Sequence, residues 1–207
     1  MIVDRQISDK SRALEHWMTI RSCEFAELDH ARILLERDDR GRHYANRQLV
    51  FDFVILLSSQ FQGFCRELHF EVADNMADAL LSVHPRGAAA LRTRLVAGRK
   101  LDQGNPNSGN IGSDFSRIVG DFWSAVERDD SDAVAAKAQL EQLAQWRNAI
   151  AHNDFSADRL GSRQVLTLAQ VQIWRGGCDY LATRFDAVLR GFLVQWHRPN
   201  VWDWRQR

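Results

Sequence analysis

Apolar residues recur at steps of three and four along most of the chain. No stretch shows the period-two alternation of a half-buried strand. From Ser11 to Glu36, the positions Leu14, Trp17, Met18, Phe25, Leu28 and Leu35 form one stripe, which predicts an amphipathic helix ending before the turn-like Asp38-Asp39-Arg40-Gly41. A second helix is expected from about His43 into the seventies. Between Leu49 and Leu57 it is apolar on nearly every side, which predicts the central, most buried helix of a bundle. Asp52 in that run is expected to sit in a structural ion pair with an arginine, and Gly63 to allow close packing or a slight bend.

Pro85 can open a third helix, to about Ala97. Gly98 to Gly112, with Gly104-Asn105-Pro106-Asn107-Ser108-Gly109-Asn110 at its centre, reads as a loop, and unstructured connections of this length are usually functional or mobile. Asp114 to Glu127 reads as a fourth helix with Ser113 or Asp114 near its cap. Asp129-Asp130-Ser131-Asp132 offers acidic caps for a fifth helix that runs to about His152 on the stripe Ala133, Ala136, Leu140, Leu143, Arg147 and Ile150. Thr167 with Gln170 matches a capping box for a sixth. Its stripe is Val171, Trp174, Cys178, Leu181, Phe185, Val188, Phe192 and Trp196, a seam suited to packing along a neighbouring helix. The pattern predicts an all-α bundle of about five to six helices with long central helices, a single domain over 1–207. Residues 1–42 read as an N-terminal helical extension, 43–196 as the core and 197–207 as a tryptophan-rich tail, whose rings are expected to fold back over the bundle.

Composition agrees with that outline and narrows the function. With 207 residues, 45% hydrophobic and 26% charged, the chain can bury a real core, and the disordered, collagen-like and low-complexity classes are excluded. The longest apolar run is short and contains Asp52, and Met1-Ile2-Val3-Asp4-Arg5 has no secretory pattern, so neither a membrane span nor export is expected. Cys23, Cys65 and Cys178 are odd in number and far apart, which suggests three reduced thiols in a helical core, no zinc site and a cytoplasmic protein. The formal net charge is zero, from 27 basic and 27 acidic residues, so there is no overall basic field for coating nucleic acid. The basic residues are nearly all arginine, the lysines being Lys10, Lys100 and Lys137. Arginine is the side chain for gripping phosphate with two parallel hydrogen bonds. Arg92, Arg94, Arg99 and Lys100, beside the long loop, are candidates for such phosphate contacts.

The chemistry concentrates in Trp146-Arg147-Asn148-Ala149-Ile150-Ala151-His152-Asn153-Asp154. Arg147 takes a slot on the apolar stripe, where a guanidinium is costly unless it meets an anion, a buried partner or an interface cleft. At about 100° per residue, His152 lies about 140° round the helix from Arg147 and about 40° from Asn148. The three polar groups therefore share one broad face at the helix end, and Asn153 suits a left-handed stop just after it. An arginine, an amide and an imidazole in this arrangement suggest a phosphate site with proton transfer near neutral pH. The plain alternative is a helix-end histidine bonded to a backbone carbonyl.

Arg147-Asn148-Ala149-Ile150-Ala151-His152 resembles the signature of HEPN domains, an arginine, usually followed by a polar residue, with a histidine four to six positions later. Phe53 to Leu68 is similar to the long first helix of the RiboL-PSP subgroup of that family. The loop with Asn105-Pro106 and Asn110-Ile111, followed by Phe115 and Gly120, is similar to the subgroup's middle region. The likeness spans roughly Tyr44 to Phe192. It implies a metal-independent RNA endonuclease, without cofactors, working as a homodimer whose two motifs face one cleft. Arg147 would then hold the scissile phosphate, His152 would move protons and Asn148 would support them. A toxin or defence role, with an antitoxin or regulatory partner, is implied by the same likeness. Two positions depart from the family. Gln62 is neutral where a carboxylate is common, and Asp154 stands where some toxins carry a tyrosine that their antitoxin modifies. The family also contains non-catalytic members, so a helical module that binds RNA or a protein is the alternative.

Overall fold

A computed structural model of the chain describes residues 9–35, 42–81, 84–161 and 165–195. Among them the regular structure is helical, as the pattern predicts: α1 (Arg12–His16), α2 (Ser22–Leu35), α3 (Arg42–Leu81), α4 (Pro85–Val96), α5 (Ser108–Val119), α6 (Phe122–Glu127), α7 (Ser131–His152), α8 (Ala157–Leu160) and α9 (Leu168–Gln195). The protein is an all-α bundle. The long helix α3 packs against α4 on one side and α9 on another, and α7 lies along α9.

Side-chain caps set most of the helix starts. The Ser11 hydroxyl accepts from the Leu14 amide, Asn107 from Asn110, Asp121 from Ser124 and Thr167 from Gln170. Of the acidic candidates before α7, Asp130 makes the cap, accepting from the Ala133 amide at 2.9 Å. The core is shared by every long helix. Phe61, Phe64, Phe115, Phe122 and Phe185 are fully enclosed and ring-packed, with Phe115 stacked on Phe122 at 4.7 Å. Each buried ring of this size is worth roughly 1.5–3 kcal/mol relative to exposure. Ala13, Leu14, Trp17 and Phe25 belong to the same core, so the N-terminal helical segment is built into the bundle.

Several expectations need correction. The first helix is not uniform: a π-helical turn, Trp17–Arg21, separates α1 from α2, and Met18 points to solvent. The most buried part of α3 is not Leu49–Leu57, where Asp52 and Ile55 are exposed, but the later stretch from Phe61 to Ala77. Asp52 has no arginine partner among the described residues and accepts only from Gln48, one turn earlier. At Gly63 close packing is what the structure shows, since a Cβ there would lie 2.7 Å from the guanidinium of Arg21. Cys23 is exposed, while Cys65 and Cys178 are buried.

The segment 98–112 is not one loop. It contains a 3₁₀ turn, Lys100–Asp102, and the start of α5 at Ser108. Asp114 therefore sits inside α5 rather than at its cap, and the expected single helix Asp114–Glu127 is two. They part at Gly120, whose φ of 79° favours a residue without a Cβ. By length and composition α3 could cross a bilayer: an 18-residue window within Arg47–Leu81 has a mean hydropathy of 1.2, and 39% of that window is buried inside the bundle. The side chain of Leu35, the turn at 38–41, Trp196 and the tail 197–207 lie outside the described residues.

Candidate functional site

The helix that carries the motif is held at both ends. At its start, Asp130 caps the first turn, accepts from the Tyr180 hydroxyl at 2.7 Å and pairs with Arg184 at 3.1 Å. Its buried face is Ala133, Ala136, Leu140, Leu143, Trp146 and Ala149. The apolar stripe thus drifts through Trp146, leaving Arg147 half-buried beside it.

At its end, Asn153 adopts the left-handed conformation (φ 51°, ψ 39°) that the sequence suggests. The amide of Asn153 donates to the Ile150 carbonyl at 3.2 Å, and that of Asp154 to the Ala149 carbonyl at 2.9 Å. These two bonds form a Schellman closure. Backbone amides therefore satisfy carbonyls of the last turn, and among the described residues no hydrogen bond involves the His152 ring. The ring is exposed to solvent.

Arg147 has one hydrogen bond among the described residues, a long one of 3.5 Å from Nη1 to the Asn148 Oδ1. No carboxylate among them lies within ion-pair reach. Most other buried or half-buried arginines differ, Arg175 over the Phe25 ring excepted. Arg21 meets Glu67 at 2.6 Å, Arg92 meets Asp74 at 2.5 Å, Arg99 grips Asp102 with two nitrogens, and Arg184 meets Asp130.

Asn148 ties the motif to the former loop, since the Asn105 Nδ2 donates to its Oδ1. The Asn105 carbonyl in turn accepts from Asn110 at 2.8 Å. Gln62 on α3 holds the same segment by donating to the carbonyls of Leu101 (2.6 Å) and Gly104 (2.9 Å), and Glu141 on α7 accepts from the Ser108 amide at 2.6 Å. A carboxylate at position 62 has no proton to donate at neutral pH, so the neutral side chain there fits this role. Buried Asp114 accepts from the amides of Lys100 (2.8 Å) and Leu101 (2.9 Å), capping the 3₁₀ turn.

The four basic candidates do not form one patch. Arg94 and Lys100 are exposed. Arg92 is engaged by Asp74 and Asp78, and Arg99 is 7% exposed, clasping Asp102 and donating to the Arg66 carbonyl. Arg99 is enclosed and committed inside the fold, while Arg92, its side chain 43% exposed, shares its charge with two carboxylates, so the expectation of a shared phosphate-binding surface narrows to Arg94 and Lys100.

Away from the motif, burial governs protonation. It pushes the His69 ring down to about 4, helped by the nearby Arg99 charge and opposed by the bond to the Asp114 carbonyl at 3.1 Å. It raises the thiols of Cys65 and Cys178, which marks them as inert core residues. Among the described residues no three His, Cys, Asp or Glu side chains gather as a metal cradle.

A further group lies beside the motif. Trp146, Phe51 and Phe155 wall a cavity of about 460 Å³ with Arg47 at its edge. Spacing along the chain does not announce it, because its members come from three separate segments. Comparison with protein-family models, curated proteins and solved structures finds no match to this chain.

Proposed function

We propose that the chain is a metal-independent RNA endonuclease of the HEPN type, with Arg147 and His152 as its reacting groups. The observation that supports this most is the state of Arg147. It is half-buried and without a carboxylate among the described residues, whereas Arg21, Arg92, Arg99 and Arg184 are each paired with one; Arg175, held over the Phe25 ring, is the other exception. A guanidinium kept in that state is ready for an anion. That no hydrogen bond from the His152 ring caps the helix among the described residues supports the same reading, because the alternative was a histidine bonded to a backbone carbonyl.

In the proposed reaction the RNA 2′-hydroxyl attacks the adjacent phosphorus and the 5′-oxygen leaves, giving a cyclic phosphate and a free 5′-hydroxyl. A base takes the 2′ proton and an acid returns one to the leaving oxygen. Arg147 holds the phosphate and offsets the charge that builds on it, while Asn148, fixed by Asn105, supports the arginine. His152 supplies one proton-transfer group. Arg147 and His152 leave the helix about 140° apart, which is why the reading includes a homodimer in which the partner's His152 supplies the other.

Purified protein is incubated with single-stranded and structured RNA in excess chelator, beside Arg147→Ala and His152→Ala. Cleavage is expected from the wild type, with a cyclic-phosphate end, and not from either variant while circular dichroism stays unchanged. Equal cleavage by the variants overturns the assignment. RNA retention without cleavage points to the non-catalytic binding module. Light scattering is expected to give a dimer at micromolar concentration.

A further inference from the structure

The cavity beside the motif has the makings of a base-binding site. Phe51 on α3 and Phe155, just after α7, stack nearly parallel, with centroids 5.4 Å apart and planes 15° from each other. Both are only half-buried. The Arg47 guanidinium lies 5.2 Å from the Phe51 ring and 5.8 Å from the Phe155 ring. Trp146 lines it too, tilted at 6.3 Å from Phe155, as does Leu166. The volume, about 460 Å³, falls within the roughly 300–1,000 Å³ of small-ligand pockets.

We propose that this cavity is a slot for one unpaired nucleobase of a single-stranded RNA, at the same end of α7 as Arg147 and His152. The proposal rests on the ribonuclease reading and adds the form of its substrate. Three features favour a base over an aliphatic side chain. The lining holds a stacked pair of half-buried aromatic rings with a planar cation beside them, and aromatic rings and arginine are the groups on which bases stack irrespective of sequence. The lining contains a guanidinium and no carboxylate, so nothing within it repels the attached phosphate. The lining flanks the motif along the chain, since Trp146 precedes Arg147 directly and Phe155 follows His152 by three positions, while Arg147, Asn148 and His152 themselves stand outside the cavity wall. A base held there delivers its backbone to the end of α7. Duplex RNA, whose bases are stacked inside, cannot enter the slot without unpairing.

The test uses the full chain and a cleavage-inert probe, a single-stranded 2′-O-methyl oligonucleotide, with an abasic strand of equal length. Binding is followed by fluorescence anisotropy at one salt concentration. The base-bearing strand is expected to bind more tightly than the abasic one. Phe51→Leu, which keeps an apolar side chain, should weaken the base-bearing strand by roughly five- to a hundred-fold and leave the abasic strand unaffected. Arg47→Lys, which keeps the charge but loses the plane, should act in the same direction. Should Phe51→Leu melt early, Arg47→Lys, at an exposed position, carries the test alone. Equal affinity for the two strands overturns the slot, as do variants that bind like the wild type. If Arg147-dependent cleavage persists in either case, the slot falls and the ribonuclease reading stands. A wild type that binds no oligonucleotide at all removes both. Dimerisation lost in Phe51→Leu with RNA affinity unchanged assigns the cavity to a protein interface and overturns the proposal.

Discussion

Two junctions in this molecule collect polar side chains at helix ends, and they are opposite in character. Around the 3₁₀ turn, Asp114 caps two amides, Arg99 closes on Asp102, Gln62 supplies two donors to carbonyls, and Arg117 donates to the carbonyls of Ala97 and Gly98. Donors and acceptors match, and the result is a fixed segment. At the end of α7 the backbone closes its own helix, leaving Arg147 with one long bond and His152 with none among the described residues. Charge that is matched internally serves architecture. Charge left unmatched at a half-buried position is available to a ligand. The two junctions touch through Asn105 and Asn148, so the rigid one positions the open one.

The contrast is broken most sharply by exchanging the roles of the two sites. Arg147→Ala and His152→Ala are each expected to lower RNA cleavage by about a hundred-fold or more with the melting temperature nearly unchanged. A large loss of stability in either would place the residue with the architectural group. Asp114→Ala should do the reverse, destabilising the fold by roughly 2–4 kcal/mol in a denaturant titration, because two amides of the 3₁₀ turn, that of Leu101 buried, lose their acceptor. Stability within about 0.5 kcal/mol of the wild type would remove Asp114 from that role.

A third measurement uses the buried ring of His69, which faces Arg99, Asp114 and Arg117. Its folded-state value of about 4 lies below the ordinary 6.5, so the unfolded chain binds the proton more readily. Its contribution to stability is therefore full above about pH 6.5 and is lost as pH falls toward 4. The wild type should lose roughly 3 kcal/mol more than His69→Gln across that window, read from paired denaturant curves. Parallel curves would show that the ring is not held neutral by burial. The smallest expected effect is that of Gln62→Glu, which sets a carboxylate against two carbonyls. It should cost about 1–3 kcal/mol and increase hydrogen exchange at the 3₁₀ turn, with the loosening extending through Asn105 to Asn148. Unchanged exchange there would uncouple the two junctions.

The boundaries of α3, α4, α7 and α9 were legible in the sequence to within a few residues, because apolar period, caps and the Pro85 signal all agree at those places. Segment 98–112 was misread for a physical reason. Its glycines and asparagines are turn formers, yet Asn107 uses its side chain to start α5, and Asp114 acts across the fold on a turn thirteen residues earlier. Turn-forming composition does not report a distant acceptor. The basic candidates failed as a patch for a similar reason. A list of arginines cannot separate Arg99, enclosed on Asp102, from Arg94, which faces water.

By itself, then, the sequence determined the class of the fold and the place of the motif. Helical periodicity and capping are local properties, and Arg147, Asn148, His152 and Asn153 lie within two turns of one helix. Only the tertiary structure decided which charges are cancelled, which loop steadies Asn148, and that Phe51, Trp146 and Phe155 meet around a cavity beside the motif. Those outcomes depend on residues brought together from distant segments. Their energies are set by desolvation and by the presence or absence of a partner, and neither is written in the spacing along the chain.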